Sequence, residues 1–291
     1  MFEYMPFNVA PWPWQLALYF FLIGTASMVF VVSAAPAVFG KVAQPFESSQ
    51  KTGLIVSLLL LIICAPLLIS DLGMPERFLY PIIYFHWTSP LSWGSLFLPL
   101  FGLCIIGFWW GKMQGNDQMM KWSGILGSLL ALSMPLYTGL DLMVHQSREL
   151  WSNPTIPVLF VVLSITSGMA LVSVLGMATG GMSNDMTRLT RIVLFASVGV
   201  TFWLFLGEVV TLWYGTEEEL QAWQIINAEF GVRFWLLTFV VGTLVPLAIL
   251  ALPALSTNPL FVTIAGVAGA VGAYTFREVL LYAGQLTQIY Y

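Results

Sequence analysis

The chain has 291 residues, 58% of them hydrophobic and 8% charged, with ten Lys plus Arg against fourteen Asp plus Glu and a formal net charge of −4. A soluble core of this size needs a surface much richer in charge, so the composition is that of an all-α integral membrane protein, and the lack of a basic patch excludes nucleic acid as a partner. Two cysteines, Cys64 and Cys104, both lie in apolar segments, cannot hold an iron–sulfur cluster alone, and read as small core residues.

The first fifteen residues, MFEYMPFNVAPWPWQ, lack a positive n-region and an A-x-A-like cleavage site, so they read as a mature, ordered amino end. Eight apolar stretches long enough to cross a bilayer follow, expected near 13–36, 53–71, 92–111, 121–143, 156–178, 190–213, 231–253 and 260–283. An even number of spans leaves both termini on one side. The connections after spans one, three, five and seven carry Lys41, Lys51, Lys112, Lys121, Arg188 and Arg191 against Glu47, Asp117 and Asp185. The other side carries Arg77, Arg148, Arg233 and Arg277 against eleven acids, with Glu217, Glu218 and Glu219 in a row. The positive-inside rule then puts both termini on the periplasmic side.

With that orientation, Asp71, Asp141, Glu208, Arg233, Arg277 and Glu278 all fall in the outer half of the membrane, where an ionisable group is costly unless paired, hydrated or used. The inner half has no comparable residue. A transporter more often needs polar groups near the midplane with access from both sides, so the pattern favours a site open from the outer face or the adjoining lipid. Span one carries LIGTASM at 22–28 and span five LSITSGM at 163–169. A parallel duplication of four spans would explain the match, as would small-residue helix contacts alone. The expected architecture is two four-helix bundles, 1–143 and 144–291, with the site near the outer face of the first.

Within span four, Tyr137, Asp141 and His145 are spaced by four and share one helical face. A phenol, a carboxylate and an imidazole in line could hold a quinone oxygen and pass its proton outward; equally, they could pack, balance an arginine and meet water. The stretch Asp71-Leu-Gly-Met-Pro-Glu-Arg-Phe78 closes span two, with Gly73 and Pro75 ending the helix and Glu76–Arg77 able to form a local ion pair. His86 could touch a quinone oxygen or a partner, or be merely exposed, and Thr88 or Ser89 could cap span three. Arg277 is expected to pair with Glu208 or Glu278, since a lone buried guanidinium is costly. The chain has two histidines, His86 and His145, both at outer connections or helix ends, so no axial pair for an integral haem is evident. No C-x-x-C-H, P-loop or dinucleotide fingerprint occurs. Redox service would therefore need a diffusible quinone and another polypeptide.

Seven stretches together resemble one family. Trp14 to Gly24 (WQLALYFFLIG), Asp71 to Phe78 (DLGMPERF) and Thr88 to Gly94 (TSPLSWG) are similar to its first span, second-span exit and third-span entry. Tyr137-Thr-Gly139, Asn153 to Phe160 (NPTIPVLF) with Ser167-Gly168, and Leu281 to Thr287 (LYAGQLT) resemble its fourth, fifth and last spans. The family is the polysulfide reductase membrane-subunit, or NrfD-like, family. The resemblance implies a multi-pass subunit of the bacterial inner membrane that reacts with menaquinone or ubiquinone and carries no haem or iron–sulfur cluster itself. It implies a ferredoxin-like multi-cluster iron–sulfur partner on the periplasmic side, with a molybdopterin catalytic subunit or, alternatively, a multihaem cytochrome beyond it. Tyr137 matches the family's quinone-contacting tyrosine and Asp71 an acid proposed for proton transfer. Tyr19 stands where the polysulfide-reductase type has a histidine. The implied function is oxidation of quinol in an anaerobic respiratory complex, with Tyr137 and Tyr19 as quinone contacts and Asp71 as a proton acceptor; the residue pattern itself adds His86 as a further candidate quinone contact and Asp141 and His145 as candidate proton acceptors. Quinone reduction in the opposite direction, ion translocation and simple anchoring remain as alternatives, and terminal-substrate chemistry would reside on another polypeptide.

Overall fold

In a bilayer every backbone N–H and C=O must find its partner inside the protein, and each apolar run is folded as a helix. The computed structural model describes residues 12–70, 72 and 74–286; the expected ordered amino end before Trp12, Asp71 and Gly73 lie outside them. Among the described residues eight helices are long and apolar enough to span a membrane. They are α1 Trp14–Phe39, α2 Glu47–Ser70, α3 Pro90–Gln114, α4 Asp117–Met143, α5 Thr155–Ala178, α6 Asn184–Tyr214, α7 Val232–Ala251 and α8 Pro259–Leu286.

Several helices begin earlier than hydropathy indicates. α2 starts at Glu47 and α6 at Asn184, because a polar turn continues a helix past the apolar run as long as its end is satisfied. The Ser183 hydroxyl accepts from Met186 N at 3.2 Å, Asn116 from Met119 N at 3.0 Å, and Ser89 from Ser92 N at 3.4 Å. These side chains take the free amides of a helix start, and Ser89 is the cap of α3. α3 ends at Gly115, whose φ of 64° is the left-handed conformation a glycine adopts without strain. Between α6 and α7 a short helix, Glu217–Glu229, opens with a capping box in which Thr216 and Glu219 bond reciprocally. The first thirteen residues of α7, Val232–Leu244, are π-helical, and there Gly242 meets Gly272 of α8 backbone to backbone.

α1 packs against α2, α4, α5 and α8; α3 packs mainly on α4; α8 lies against α5, α6 and α7. The two similar stretches of α1 and α5 face each other. Thr25 Oγ1 donates to Ser167 Oγ at 2.8 Å, and a Cβ at Gly168 would collide with Met28. Small residues are what permit this approach. The start of α1 and the end of α8 also meet, with Gln285 Nε2 donating to Trp12 O at 3.1 Å and Trp12 N donating to Gln285 Oε1 at 3.3 Å. Both ends of the described residues thus share one end of the molecule, the terminal end.

Two expected ion pairs are replaced by other contacts. Arg277, fully buried, donates to Ala273 O (2.8 Å), Phe160 O (2.9 Å) and Ser164 Oγ (2.8 Å) and lies over the Phe160 ring. Helical carbonyls keep a second lone pair, so dipoles rather than Glu208 or Glu278 take its Nη1 and Nη2 donors, while its buried Nε has no hydrogen-bond partner among the described residues. Glu278 instead pairs with Arg233 at 3.3 Å, and Glu208 accepts from Asn153 Nδ2 at 2.8 Å. Arg77 sits over the Tyr80 ring, 5.6 Å from its centre, without an ion pair to Glu76 among the described residues.

Candidate functional site

The site is built where α1 and α4 cross inside the first four spans. Tyr19 leaves α1 towards α4, Tyr137 leaves α4 towards α1, and their hydroxyls are hydrogen-bonded to one another. Both side chains are buried, at 1% and 5% exposure. The Tyr137 ring lies close against α3 at Gly94, where an added Cβ would collide with it. Cys64 of α2 is fully buried and belongs to the same core cluster as both tyrosines. Each of four helices therefore contributes one residue to this buried region.

One turn along α4, Asp141 interacts electrostatically with both phenols and with His145. α4 ends at Met143, but the backbone keeps turning, and the His145 ring Nδ1 bonds the Asp141 carbonyl at 2.9 Å. A carbonyl only accepts, so Nδ1 carries the proton and Nε2 is left as the acceptor. Tyr137, Asp141 and His145 therefore form a line from the buried pair to the terminal end, with Asp141 and His145 only partly buried.

The line reaches a layer that sequence reasoning missed. Trp12 stacks on Trp151 with ring centres 4.8 Å apart, and His145 stands edge-on to Trp12 at 5.0 Å. Trp151 Nε1 donates to Leu280 O at 2.8 Å, Arg148 Nη1 donates to Gly284 O at 2.6 Å, and the guanidinium lies 5.1 Å from the Trp151 ring centre. Burial pulls Arg148 below the ordinary arginine value. This layer ties the α4–α5 connection to both ends of the described residues. Tryptophans near helix ends look like interfacial anchors in a sequence, which hides a stack between residues 139 positions apart in Trp12 and Trp151.

The remaining sequence candidates lie elsewhere or outside the described residues. His86 is exposed, its Nδ1 bonded to Thr88 Oγ1 at 2.9 Å and its backbone N donating to Ser92 Oγ at 3.3 Å. Its sequence neighbours Phe85 and Trp87 form an aromatic ridge with Trp93, and no contact of His86 with the tyrosine pair is seen among the described residues. Asp71 is among the residues not described. An apolar cavity of about 220 Å³ lies between α2 and α3, lined by Leu68, Leu98 and Ser95 and by Phe78 and Ile82 of the connection between them; neither tyrosine of the pair lines it. Ser95 is the neighbour of the glycine that carries the Tyr137 ring. Among the described residues no three His, Cys, Asp or Glu side chains gather as a metal site would require.

The chain is matched over residues 3–289 by the family model described as polysulphide reductase, NrfD. It is 27% identical to Protein NrfD of Escherichia coli over 97% of each sequence. It is 24% identical to the polysulfide reductase C chain of Wolinella succinogenes over 96% of each. A putative dimethyl sulfoxide reductase membrane subunit of Halobacterium salinarum is 24% identical over 91% of this chain and 67% of its own. The eight-helix, multi-pass architecture agrees with that match end to end, and the chain belongs to the NrfD family of polysulfide-reductase-type membrane subunits.

Proposed function

We propose that this chain is the quinol-oxidising membrane subunit of an anaerobic respiratory complex, working at the terminal end of its first four spans and delivering electrons to an iron–sulfur partner seated there. The carrying observation is the buried Tyr19–Tyr137 hydroxyl pair. A phenol is protonated at neutral pH without help from its surroundings. When one hydroxyl donates to the other, the acceptor's own hydrogen is left over. A single donor in an apolar setting suits a quinone or quinol oxygen. The residues present therefore fit menaquinone or ubiquinone as the diffusible cofactor.

A bound quinol supplies two electrons and two protons. Tyr19 and Tyr137 hold its oxygen and fix the ring's orientation. Asp141 accepts a proton from the pair's neighbourhood, and His145 offers Nε2 for the next move towards the terminal end. Asp71 keeps the role that the resemblance implies, a second proton acceptor, and of the two roles open to His86, a quinone oxygen or a partner, its exposure supports contact with a partner. The lysine-rich opposite end supports a periplasmic terminal end and an inner-membrane location. A ferredoxin-like subunit with several clusters is the partner chemistry suited to taking these electrons. A molybdopterin subunit or a multihaem cytochrome, as the family resemblance implies, would stand beyond it.

The test uses the intact complex. Tyr137→Phe and Tyr19→Phe each remove a hydroxyl worth about 1.5 to 3 kcal/mol if its oxygen partner carries charge in the transition state, so quinol-dependent reduction of the partner's clusters should slow about ten- to a hundredfold. Co-purification of the partner should be unchanged. Normal rates in both variants would remove the tyrosine pair from the site.

A further inference from the structure

A second, polar cavity lies at the opposite end from the tyrosine pair. It holds about 530 Å³ between the end of α1 and the starts of α2 and α4, and its lining includes Lys41, Glu47, Gln50, Asp117 and Lys121. That volume is within the roughly 300–1,000 Å³ of small-molecule sites. Two cations and two carboxylates thus line one cavity, and among the described residues none of the four is ion-paired. Its floor is fixed. Gln50 is buried, its Nε2 donates to Ser33 O at 3.0 Å, and its Oε1 accepts from Lys112 Nζ of α3.

The rim settles which kind of molecule can reach it. Phe39, Val42 and Trp122 neighbour the charged lining in sequence and are 67%, 75% and 57% exposed. Large apolar side chains turned outward beside lysines are the arrangement found at the boundary of hydrocarbon and headgroups. The cavity therefore opens at headgroup depth. A purely anionic headgroup would meet Glu47 and Asp117; a soluble anion would have no use for the apolar rim.

We infer that this cavity seats the zwitterionic headgroup of a membrane phospholipid, with its phosphodiester at Lys41 and Lys121 and a primary ammonium at Glu47 and Asp117. The acyl chains run down past Phe39 and Val42. The site is separate from quinol chemistry and does not depend on it.

The intact complex is exchanged into phosphatidylcholine nanodiscs doped with equal small amounts of phosphatidylethanolamine and phosphatidylglycerol, and the lipids retained per complex are measured by native mass spectrometry. Phosphatidylethanolamine should be retained about tenfold over phosphatidylglycerol, the effect of two partly exposed ion pairs. Lys41→Gln with Lys121→Gln should lose retention of both lipids. Glu47→Gln with Asp117→Asn should abolish the preference while keeping phosphatidylglycerol. Quinol turnover in each variant reports that the complex is still assembled. Equal retention of the two lipids by the unaltered complex would overturn the inference, as would lysine variants that retain lipid normally. Displacement of the retained lipid by chain-free glycerophosphoethanolamine at equal concentration would also overturn it, since a soluble phosphoester would then be the true occupant.

Discussion

Gly94→Ala is the sharpest probe of the proposed site, because it adds one methyl group and touches no polar atom. A Cβ at this position stands 2.5 Å from two atoms of the Tyr137 ring, whereas ordinary van der Waals contact needs about 3.4 Å or more. The ring must therefore retreat by about 1 Å, or α3 must move away by as much. Overpacking of this kind costs about 1–3 kcal/mol of stability, which an assembled membrane complex should survive. The hydroxyl would move with the ring, and misplacing a positioning group by about 1 Å can cost about a hundredfold in rate. The assay is quinol-dependent cluster reduction in the purified complex, with Gly199→Ala and Gly207→Ala as controls, since an added Cβ there meets nothing within 4 Å. The controls should turn over normally. If Gly94→Ala assembles and turns over at the normal rate, the position of Tyr137 does not govern the reaction. If Gly94→Ala is slow but Tyr137→Phe is not, the ring's bulk matters and its hydroxyl does not.

Other expectations follow from individual contacts. Arg277→Lys should lower the midpoint of thermal unfolding, because one ammonium cannot reproduce three guanidinium bonds to Ala273, Phe160 and Ser164; the loss should be about 1.5–3 kcal/mol. Ser164→Ala removes only one acceptor from that set and should cost about 1 kcal/mol by the same measurement. Trp151→Phe loses the bond to Leu280 O and part of the stack on Trp12, so it should destabilise by about 1–2 kcal/mol and raise protease sensitivity of the 144–154 connection. Glu208→Gln keeps an acceptor for Asn153 Nδ2 and should leave thermal stability within about 1 kcal/mol of the parent; a larger loss would mean the carboxylate has a charged partner.

The eight spans were legible from hydropathy alone, because the bilayer leaves an apolar run of about twenty residues no other way to bond its backbone. Their ends were not, since Glu47 and Asn184 look like loop residues until the caps and turns around them are seen. Tyr137, Asp141 and His145 could be read as one face from their spacing. The Tyr19–Tyr137 bond could not, as it joins residues 118 positions apart; only the family resemblance put both in one site. Charge matching failed for Arg277 because it counts carboxylates, while the carbonyls that accept from its Nη1 and Nη2 belong to every residue and leave no mark in a sequence. The same blindness hid Gly94, which matters for what it lacks.

α1 explains why the two sets of contacts belong to one design. It is the most enclosed of the eight spans, and it carries Tyr19 on one face and Gly24, Thr25 and Met28 towards α5 and α8. At about 100° per residue, Thr25 lies about 240° around the helix from Tyr19. The helix has no proline before Pro36, so this stretch moves as one rod. The crossing with α5, where Thr25 meets Ser167 and Ser164 meets Arg277, therefore sets the rotation of α1 and with it the direction of the Tyr19 hydroxyl. A buried arginine bonded to helix carbonyls holds α5 and α8 together at that level without presenting a charge to the tyrosine pair. The charged groups Asp141 and Arg277 thus stand in two separate settings. Asp141 lies next to the phenols, while Arg277 keeps in register the helix that delivers one of them.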